Sequence, residues 1–430
     1  MTSEPDAWHD RGQLASGHGW RNALRGSADQ FRNCDVLAAM TAASLPWSTT
    51  ASAVCISLWL LVLVPTLDKR DFIRGLAHPA CVLPLAFFLL AVVGMFWSDG
   101  TWPASLAGIK PVAKLLVIPF LLYHFQRSQR SIWIFVGFLV SCTLLMILSW
   151  IVLFVPAFKI TTTASAGVPV KNYIDQSQEF ALCAFAIALP ALTASRQRQF
   201  GPTIGYLILI VAFITNMLFV VSARTALVYI PALLVLFAAR HLDRRAGSAL
   251  FAVAAIAFML VWSTSPYLRN RVANIEVEYQ GYEQNVVAST GQRLEYWRKS
   301  IRFFADAPLL GHGTGSIRQL FETDAIGQTG LLAEVTGNPH NQTLNVAVQW
   351  GLVGCLVLYG MWLSHLLLFR GAGLAAWIGL IVVVQNVVSS LFNSHLFDFH
   401  EGWMYVLGVG VAGGMSLGSI SRRERSDLHP

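Results

Sequence analysis

Charged side chains are scarce in this sequence. Asp, Glu, Lys and Arg make up 12% of its 430 residues, whereas hydrophobic residues make up 55%. A typical soluble domain has about a quarter charged residues, so the composition excludes an ordinary soluble globular protein. Apolar runs of roughly 17–20 residues recur along almost the whole chain, and runs of that length are typical of segments that cross a bilayer.

The apolar runs also lack the alternation of polar and apolar residues that marks β-strands. Backbone groups in lipid must be hydrogen-bonded within the protein, so only helices and closed barrels span a bilayer. Continuous apolar runs favour helices. We therefore expect an all-α, polytopic membrane protein.

Cysteines are few and lack any metal-binding spacing. None of the six belongs to a CxxC pair, and all fall in or beside apolar segments: Cys34, Cys55, Cys81, Cys142, Cys183 and Cys355. This pattern argues against a disulfide framework and against a zinc site. Residues 1–33 lack the short apolar core of a secretory signal peptide, and we interpret them as a disordered cytoplasmic tail.

We predict about twelve membrane-spanning helices, the first of which is short and ends at Leu45-Pro46. They lie near residues 35–48, 50–67, 79–97, 104–124, 132–155, 177–195, 202–221, 223–239, 248–264, 344–368, 373–392 and 402–418. Nine of them fill 34–264 and three fill 344–418. Between these two groups lies a polar segment, 265–343, and the chain closes on a second cytoplasmic tail, 419–430.

Basic residues orient the predicted spans. With the N-terminus inside, the cytoplasmic loops and tails hold more than half of the 30 Lys and Arg, and the short outer loops 98–103 and 393–401 hold none. This is the bias expected of cytoplasmic loops. Both termini are then cytoplasmic and 265–343 lies outside. The net charge of +7 reflects this topology, and we see no signal for nucleic-acid binding in it.

The outer segment 265–343 is too long for a simple connection. Its stretch "STGQRLEYWRKSIRFFADAP" begins with a capping box, Ser289 to Gln292. The apolar positions Leu294, Trp297, Ile301 and Phe304 recur at helical spacing, and Pro308 follows. We predict an amphipathic helix whose stripe lies on the membrane surface or against the helical bundle.

Four basic side chains stand at the predicted outer face: Arg224 in "SARTAL", Arg293 in the amphipathic helix, His312 in the glycine-rich "LLGHGTGSI", and His340 in "NPHNQTL" before the tenth span. Arginine suits phosphate oxygens because it binds them bidentately. A histidine at a helix N-terminus is kept neutral by the dipole and can accept a proton. A glycine-rich turn can offer N–H groups to an anion.

Each of these residues has a plainer interpretation. Arg224 can be a snorkelling residue, Arg293 and His312 solvated surface, and His340 an interfacial or capping histidine. The combination is more specific than its members. It predicts a site for a lipid-linked pyrophosphate, with Arg224, Arg293 and His312 binding the substrate and His340 acting as a general base.

The segments "SARTAL", "STGQRLEYWRKSIRFFADAPLLGHGTGSI" and "NPHNQTLNVAVQWGLVG" together resemble the shared core of the O-antigen ligase and O-antigen polymerase superfamily. The resemblance covers about 220–360 closely, and Arg224, Arg293 and His340 fall where the family has its essential Arg, Arg and His. His312 is less diagnostic. The resemblance implies a glycosyltransferase C-type helical bundle with one large periplasmic loop, located in the bacterial inner membrane.

The resemblance further implies the reaction and its partners. An undecaprenyl pyrophosphate-linked O-antigen would be the donor, and a hydroxyl of lipid A-core oligosaccharide would be the acceptor. Transfer would occur with inversion at the periplasmic face, with Arg224, Arg293 and His340 as the catalytic residues. No cofactor, no metal and no ATP would be needed, since the pyrophosphate linkage is already activated.

Other functions stay open at this point. A polymerase would use the same donor twice, and a pilin oligosaccharyltransferase usually carries extra soluble mass after the last span. A transporter or flippase of lipid-linked sugars would place polar groups along a midplane cavity, which we do not see. Two further features are unassigned: Lys110 and Lys114 in the fourth span, and His395, Asp398, His400 and Glu401 in one outer loop, whose spacing is not typical of a metal site.

Overall fold

The computed structural model describes residues 32–162, 165–220 and 223–427. The predicted tail 1–33 lies outside these ranges apart from its last two residues. Seventeen α-helices are numbered here in chain order. Those before the outer segment are α1 (Arg32–Ser44), α2 (Thr49–Leu63), α3 (Lys69–Leu76), α4 (Pro79–Val93), α5 (Trp102–Ala113), α6 (Val117–Arg127), α7 (Ile132–Phe154), α8 (Tyr173–Arg196), α9 (Phe200–Phe219), α10 (Ala226–His241) and α11 (Arg244–Thr264).

The remaining helices belong to the outer segment and to the last spans. They are α12 (Pro266–Glu283), α13 (Ser289–Asp306), α14 (Ile317–Asp324), α15 (Gln342–Leu368), α16 (Leu374–Ser389) and α17 (Phe399–Asp427). Helix α17 continues well into the predicted tail 419–430 and ends at Asp427.

The chain is a polytopic membrane protein built of helices, as expected. Every predicted span coincides with a helix or with a pair of helices. By length and composition, seven described segments can cross a membrane: Thr49–Thr66, Trp102–Arg127, Ile132–Phe154, Tyr173–Arg196, Phe200–Phe219, Arg244–Thr264 and Gln342–Leu368. The pair α3 and α4, bent by 79°, raises the number to eight, and α10 and α16 are shorter apolar helices.

The structure shows how the fourth predicted span is interrupted and where the seventh and eighth separate. The fourth span is interrupted at Lys114, where a 3₁₀ turn joins α5 to α6, close after Pro111, which cannot donate a helical hydrogen bond. The near-continuous seventh and eighth spans are two helices, and Arg224 lies in the break between them. In a break between two helices, a long side chain is not confined to one helical face. Arg224 can therefore reach a site at the membrane border.

Gly351 allows the outer segment to pack closely against α15. Its φ is +59°, inside a helix that is otherwise continuous. A Cβ at this position would approach the Leu309 carbonyl carbon to 2.4 Å, so only glycine fits. The next two amides leave the helical ladder and donate outward, Leu352 N to Pro308 O at 2.8 Å and Val353 N to Leu309 O at 3.3 Å. The kink therefore satisfies backbone groups of both segments.

The amphipathic helix exists as predicted, but its cap differs. Ala288 is the N-cap, and no side chain makes a capping hydrogen bond there. Ser289 is already part of the helix. The Gln292 side-chain amide donates to Glu334 at 3.1 Å instead of capping the helix. The predicted capping box is therefore wrong.

A second face of α13, beside the predicted stripe, is buried against protein. Tyr296 and Phe303 pack against Ile317, Phe321 and Val348, whereas Ile301 of the stripe is exposed. The reason is α14, a short helix in the stretch 318–337 where the sequence shows little pattern. It covers the Tyr296 side of α13 and adds an ion pair between Lys299 and Asp324 at 3.0 Å.

Candidate active site at the outer face

Arg224 makes a two-point ion pair with a carboxylate. Its Nη1 and Nη2 donate to the two oxygens of Glu278 on α12, at 2.9 and 2.8 Å, and Nη1 also donates to Thr290 Oγ1 at 3.1 Å. The hydrogen bond to Arg224 lowers the pKa of Glu278 to about 2, and the same bond raises the pKa of Arg224. Both groups are therefore charged at any working pH.

Arg293 lines the same cavity as Arg224. The cavity has a volume of about 190 Å³ and is bordered by Tyr173, Ile174, Ala223, Arg224, Thr225, Glu278, Ser289 and Arg293. Burial is the main cause that lowers the pKa of Arg293, and the nearby positive charge of Arg224 adds to it. Among the residues that the structure describes, no hydrogen bond or ion pair engages the Arg293 guanidinium. Arg293 is half-buried, and the one carboxylate that acts on it, Glu278, is already paired with Arg224. A half-buried guanidinium with unused donors is suited to bind an anion.

His340 stands one residue before the N-cap of α15. Asn341 is that cap, and its side chain accepts a hydrogen bond from Leu344 N. His340 has a φ of +53°, an uncommon conformation that the bond from its own N–H to Asn338 Oδ1, 2.9 Å long, helps to hold. Its ring stacks on Tyr296, with centroids 6.1 Å apart. The position at the mouth of the helix agrees with the prediction.

The charge state of His340 follows from its surroundings. Burial lowers its pKa from 6.5; a hydrogen bond to Asn393 opposes this shift, and the positive charge of Arg293 adds to it. The sequence predicted a neutral imidazole on the ground of the helix dipole, whereas here burial is the main cause. The positive charge of Arg293 therefore links His340 electrostatically to one of the two cavity arginines.

Asn393 and Asp398 extend the site behind His340, and the sequence did not single out Asn393. Asn393 Oδ1 lies 2.8 Å from His340 Nδ1, and Asn393 Nδ2 donates to Asp398 Oδ2 at 2.7 Å. Since an amide oxygen can only accept, Nδ1 carries the hydrogen and Nε2 has the free lone pair. The Asp398 carboxylate thus orients the Asn393 amide, and that amide sets the tautomer of the His340 imidazole.

The loop 395–401 holds the one group of potential metal ligands found in the described part of the chain. Ligand atoms of His395, Asp398 and Glu401 lie within 4.8 Å of one another. A resident cation already serves this loop: the ammonium of Lys114 donates to the carbonyl oxygens of Phe397, at 3.1 Å, and Asp398, and it interacts electrostatically with both carboxylates. Lys114 therefore binds backbone carbonyls. Lys110 is exposed.

His312 is not brought to the arginine pair. Its Nδ1 lies 2.6 Å from Asp99 Oδ2 and its Nε2 lies 2.8 Å from the carbonyl oxygen of Phe303. Both ring nitrogens are occupied by protein atoms, so the ring ties the glycine-rich loop to the turn between α4 and α5.

The amides of the glycine-rich loop are also in use. His312 N, Gly313 N and Thr314 N donate to the carbonyl oxygens of Val348, Gln349 and Gly94 at 2.8–3.0 Å, and Gly315 N donates to Gln349 Oε1 at 2.8 Å. Gly313 has a φ of +81°, and a Cβ there would meet Ser98 Cα at 2.3 Å. The glycines serve close packing, and the anion-binding N–H groups predicted for this loop are engaged within the protein.

Residues 208–359 match a family model whose description is O-Antigen ligase. The matched range contains Arg224, Arg293, His312 and His340, together with Glu278 and Thr290. It ends before Asn393 and Asp398. No curated protein matches the chain.

Proposed function

We propose that this protein is an O-antigen ligase, because residues 208–359 match the O-antigen ligase family model and that family implies lipid-linked polysaccharide substrates. The donor is an O-antigen polysaccharide on undecaprenyl pyrophosphate, and the acceptor is a hydroxyl of lipid A-core oligosaccharide. The observation that carries this proposal is the shared cavity of Arg224 and Arg293, together with the electrostatic effect of Arg293 on the His340 imidazole.

The acceptor is activated by His340. The Nε2 lone pair takes the hydroxyl proton as the oxygen attacks the anomeric carbon, and a positioned base of this kind accelerates transfer by typically ~10²–10⁴-fold. The bond between the anomeric carbon and the phosphate oxygen breaks on the opposite side, which inverts the configuration. Undecaprenyl pyrophosphate leaves, and the proton then passes from His340 to solvent.

The two arginines stabilise the leaving group. Negative charge on the pyrophosphate grows as the glycosidic bond breaks, so fixed guanidiniums bind the transition state more strongly than the donor. Arg293 has no competing partner in the described structure and offers its donors directly. Two guanidiniums in a partly buried site supply the charge that a divalent cation supplies in many glycosyltransferases.

Asn393 and Asp398 act behind the base. Asn393 contacts Nδ1 of the imidazole, away from the free Nε2, and Asp398 holds Asn393, so the pair orients the ring and does not meet the substrate. We assign the loop 393–401 a role that needs no metal: Asn393 and Asp398 hold the tautomer of His340, and Lys114 binds the carbonyl oxygens of Phe397 and Asp398.

A reconstituted transfer reaction tests the proposal. Purified protein, donor and lipid A-core acceptor are mixed in proteoliposomes, and the product is separated on a gel. A ligase joins polymer to core. A polymerase would lengthen the lipid-linked polymer without acceptor, and a flippase would move donor across the bilayer without forming a new glycosidic bond; either result would overturn the ligase assignment.

Deletion of the gene gives an independent test in the cell. For a ligase, the long-chain lipopolysaccharide ladder disappears while the lipid-linked polymer is still made. Loss of the polymer as well, with a single repeat left on the core, would indicate a polymerase instead.

A further inference from the structure

Glu278 occupies the anion-binding groups of the cavity. Besides its two-point pair with Arg224, its Oε2 accepts from Thr290 N at 2.9 Å and from Thr290 Oγ1. Thr290 is the second residue of α13, so its N–H is one of the amides that the helix leaves without an internal partner. The carboxylate is thus bound by a guanidinium, a hydroxyl and a backbone amide at once.

These three donors suit a phosphate as well as a carboxylate. Both anions present two oxygens to the parallel N–H groups of an arginine, and both are favoured at the N-terminus of a helix by its partial positive charge. The second guanidinium of the cavity, Arg293, has no partner among the described side chains. The cavity therefore holds one anion position that is filled from within the protein and one that is not.

We propose that Glu278 occupies one of the two phosphate positions of the donor site while no donor is bound, and that Thr290 is a further phosphate-binding residue once Glu278 has moved away. This proposal rests on the proposed function and makes it more specific. The donor would first meet Arg293, and its second phosphate would then replace the Glu278 carboxylate on Arg224 and Thr290.

Charge balance favours this replacement. Without donor, two guanidiniums face one carboxylate, which leaves an excess of one positive charge. A pyrophosphate diester brings about two negative charges, so two guanidiniums would then face three negative charges if Glu278 stayed. Repulsion between like charges opposes that state, and the Glu278 side chain, 19% exposed, lies where it can turn towards solvent.

Pyrophosphate binding to the purified full-length protein tests the proposal. Calorimetric titration with inorganic pyrophosphate compares wild type with Glu278→Gln, which keeps the side-chain size and removes the charge. Because hydrogen bonds to charged groups are the strong ones, removing the internal competitor should tighten binding roughly tenfold or more. Glu276→Gln is the matched control, since it removes an exposed carboxylate from the same helix and should leave the affinity unchanged.

Thr290 is tested in the Glu278→Gln background. Thr290→Val removes the hydroxyl and keeps the shape, and it should weaken pyrophosphate binding several-fold. Glu278→Asp keeps the charge on a shorter side chain and should give an intermediate affinity. Unchanged or weaker binding by both Glu278 variants would overturn the proposal, because Glu278 would then serve to organise Arg224 rather than to compete.

The same titration separates this proposal from the proposed function. If pyrophosphate binding requires Arg224 and Arg293 but does not respond to Glu278→Gln, only the role of Glu278 is overturned. If Arg224→Ala and Arg293→Ala both leave the affinity unchanged, the arginine cavity is not the pyrophosphate site, and the proposed function loses its main support as well.

Discussion

The Nδ1 atom of His340 donates a hydrogen bond to Oδ1 of Asn393 over 2.8 Å. The two residues are 53 positions apart in the sequence: His340 precedes α15, and Asn393 follows α16. This contact decides which nitrogen of the imidazole is free, and with it which atom can take a proton from an acceptor hydroxyl.

Replacing Asn393 by Ala should slow transfer by about 10²-fold, since the imidazole loses both its fixed tautomer and its orientation. The bond to Asn393 also raises the pKa of His340, so the acid limb of the rate profile should move to lower pH. Single-turnover transfer rates across pH measure both effects. Asn274→Ala, an exposed position on α12, is the matched control. An unchanged rate with an unchanged acid limb would remove Asn393 from the mechanism.

The pH dependence of the wild-type enzyme should show the lowered pKa of His340. A general base works only when deprotonated, so the rate should be constant at high pH and fall tenfold per pH unit below the pKa. Because burial lowers that pKa from 6.5, the fall should begin below pH 6.5. A profile in which activity declines already from pH 8 downwards would mean that the titrating base is a different group or that His340 is not buried in the working enzyme.

Arg224→Lys and Arg293→Lys should each reduce kcat/KM by roughly 10- to 100-fold although the charge is kept. A lysine cannot make the planar two-point contact with phosphate oxygens, and a lost hydrogen bond to a charged group is worth about 1.5–3 kcal/mol. Steady-state transfer with varied donor measures the effect. Wild-type kcat/KM in both lysine variants would mean that the arginines act only through their charge and not through two-point hydrogen bonds.

Transfer should survive thorough chelation. The site needs positive charge at the leaving group, and Arg224 and Arg293 line the cavity where that charge is used. The carboxylates of Asp398 and Glu401 already face the ammonium of Lys114. Activity of the purified protein is measured in EDTA and again after magnesium, manganese or calcium is added back. Collapse on chelation with recovery by one of these ions would make His395, Asp398 and Glu401 metal ligands.

The sequence predicted well what depends on local pattern. The long apolar runs predicted helices, and the structure has helices there. The three- and four-residue spacing around Trp297 predicted the helix that is α13. The predicted spans 202–221 and 223–239 correspond to two helices, and the structure places Arg224 in the break between them. Patterns of this kind act over a few residues, so one chain segment is enough to recognise them.

Contacts between distant segments could not be predicted in the same way. Glu278 lies 54 residues from Arg224 on a helix without a clear apolar face, and nothing near it points to an arginine partner. The second face of α13 is buried by α14, which covers Tyr296, and the stripe of its own sequence does not predict it. His312 looks like a site residue beside three glycines, but only the fold reveals that Asp99 and Phe303 occupy its ring.

The most direct test of the central claim is the single-turnover transfer rate of purified His340→Ala with donor and acceptor in proteoliposomes. If His340 is the base, the rate falls ~10²–10⁴-fold below wild type, and pyrophosphate affinity is retained, since Arg224 and Arg293 are untouched. A near-normal rate for His340→Ala would contradict the assignment of His340 as the base.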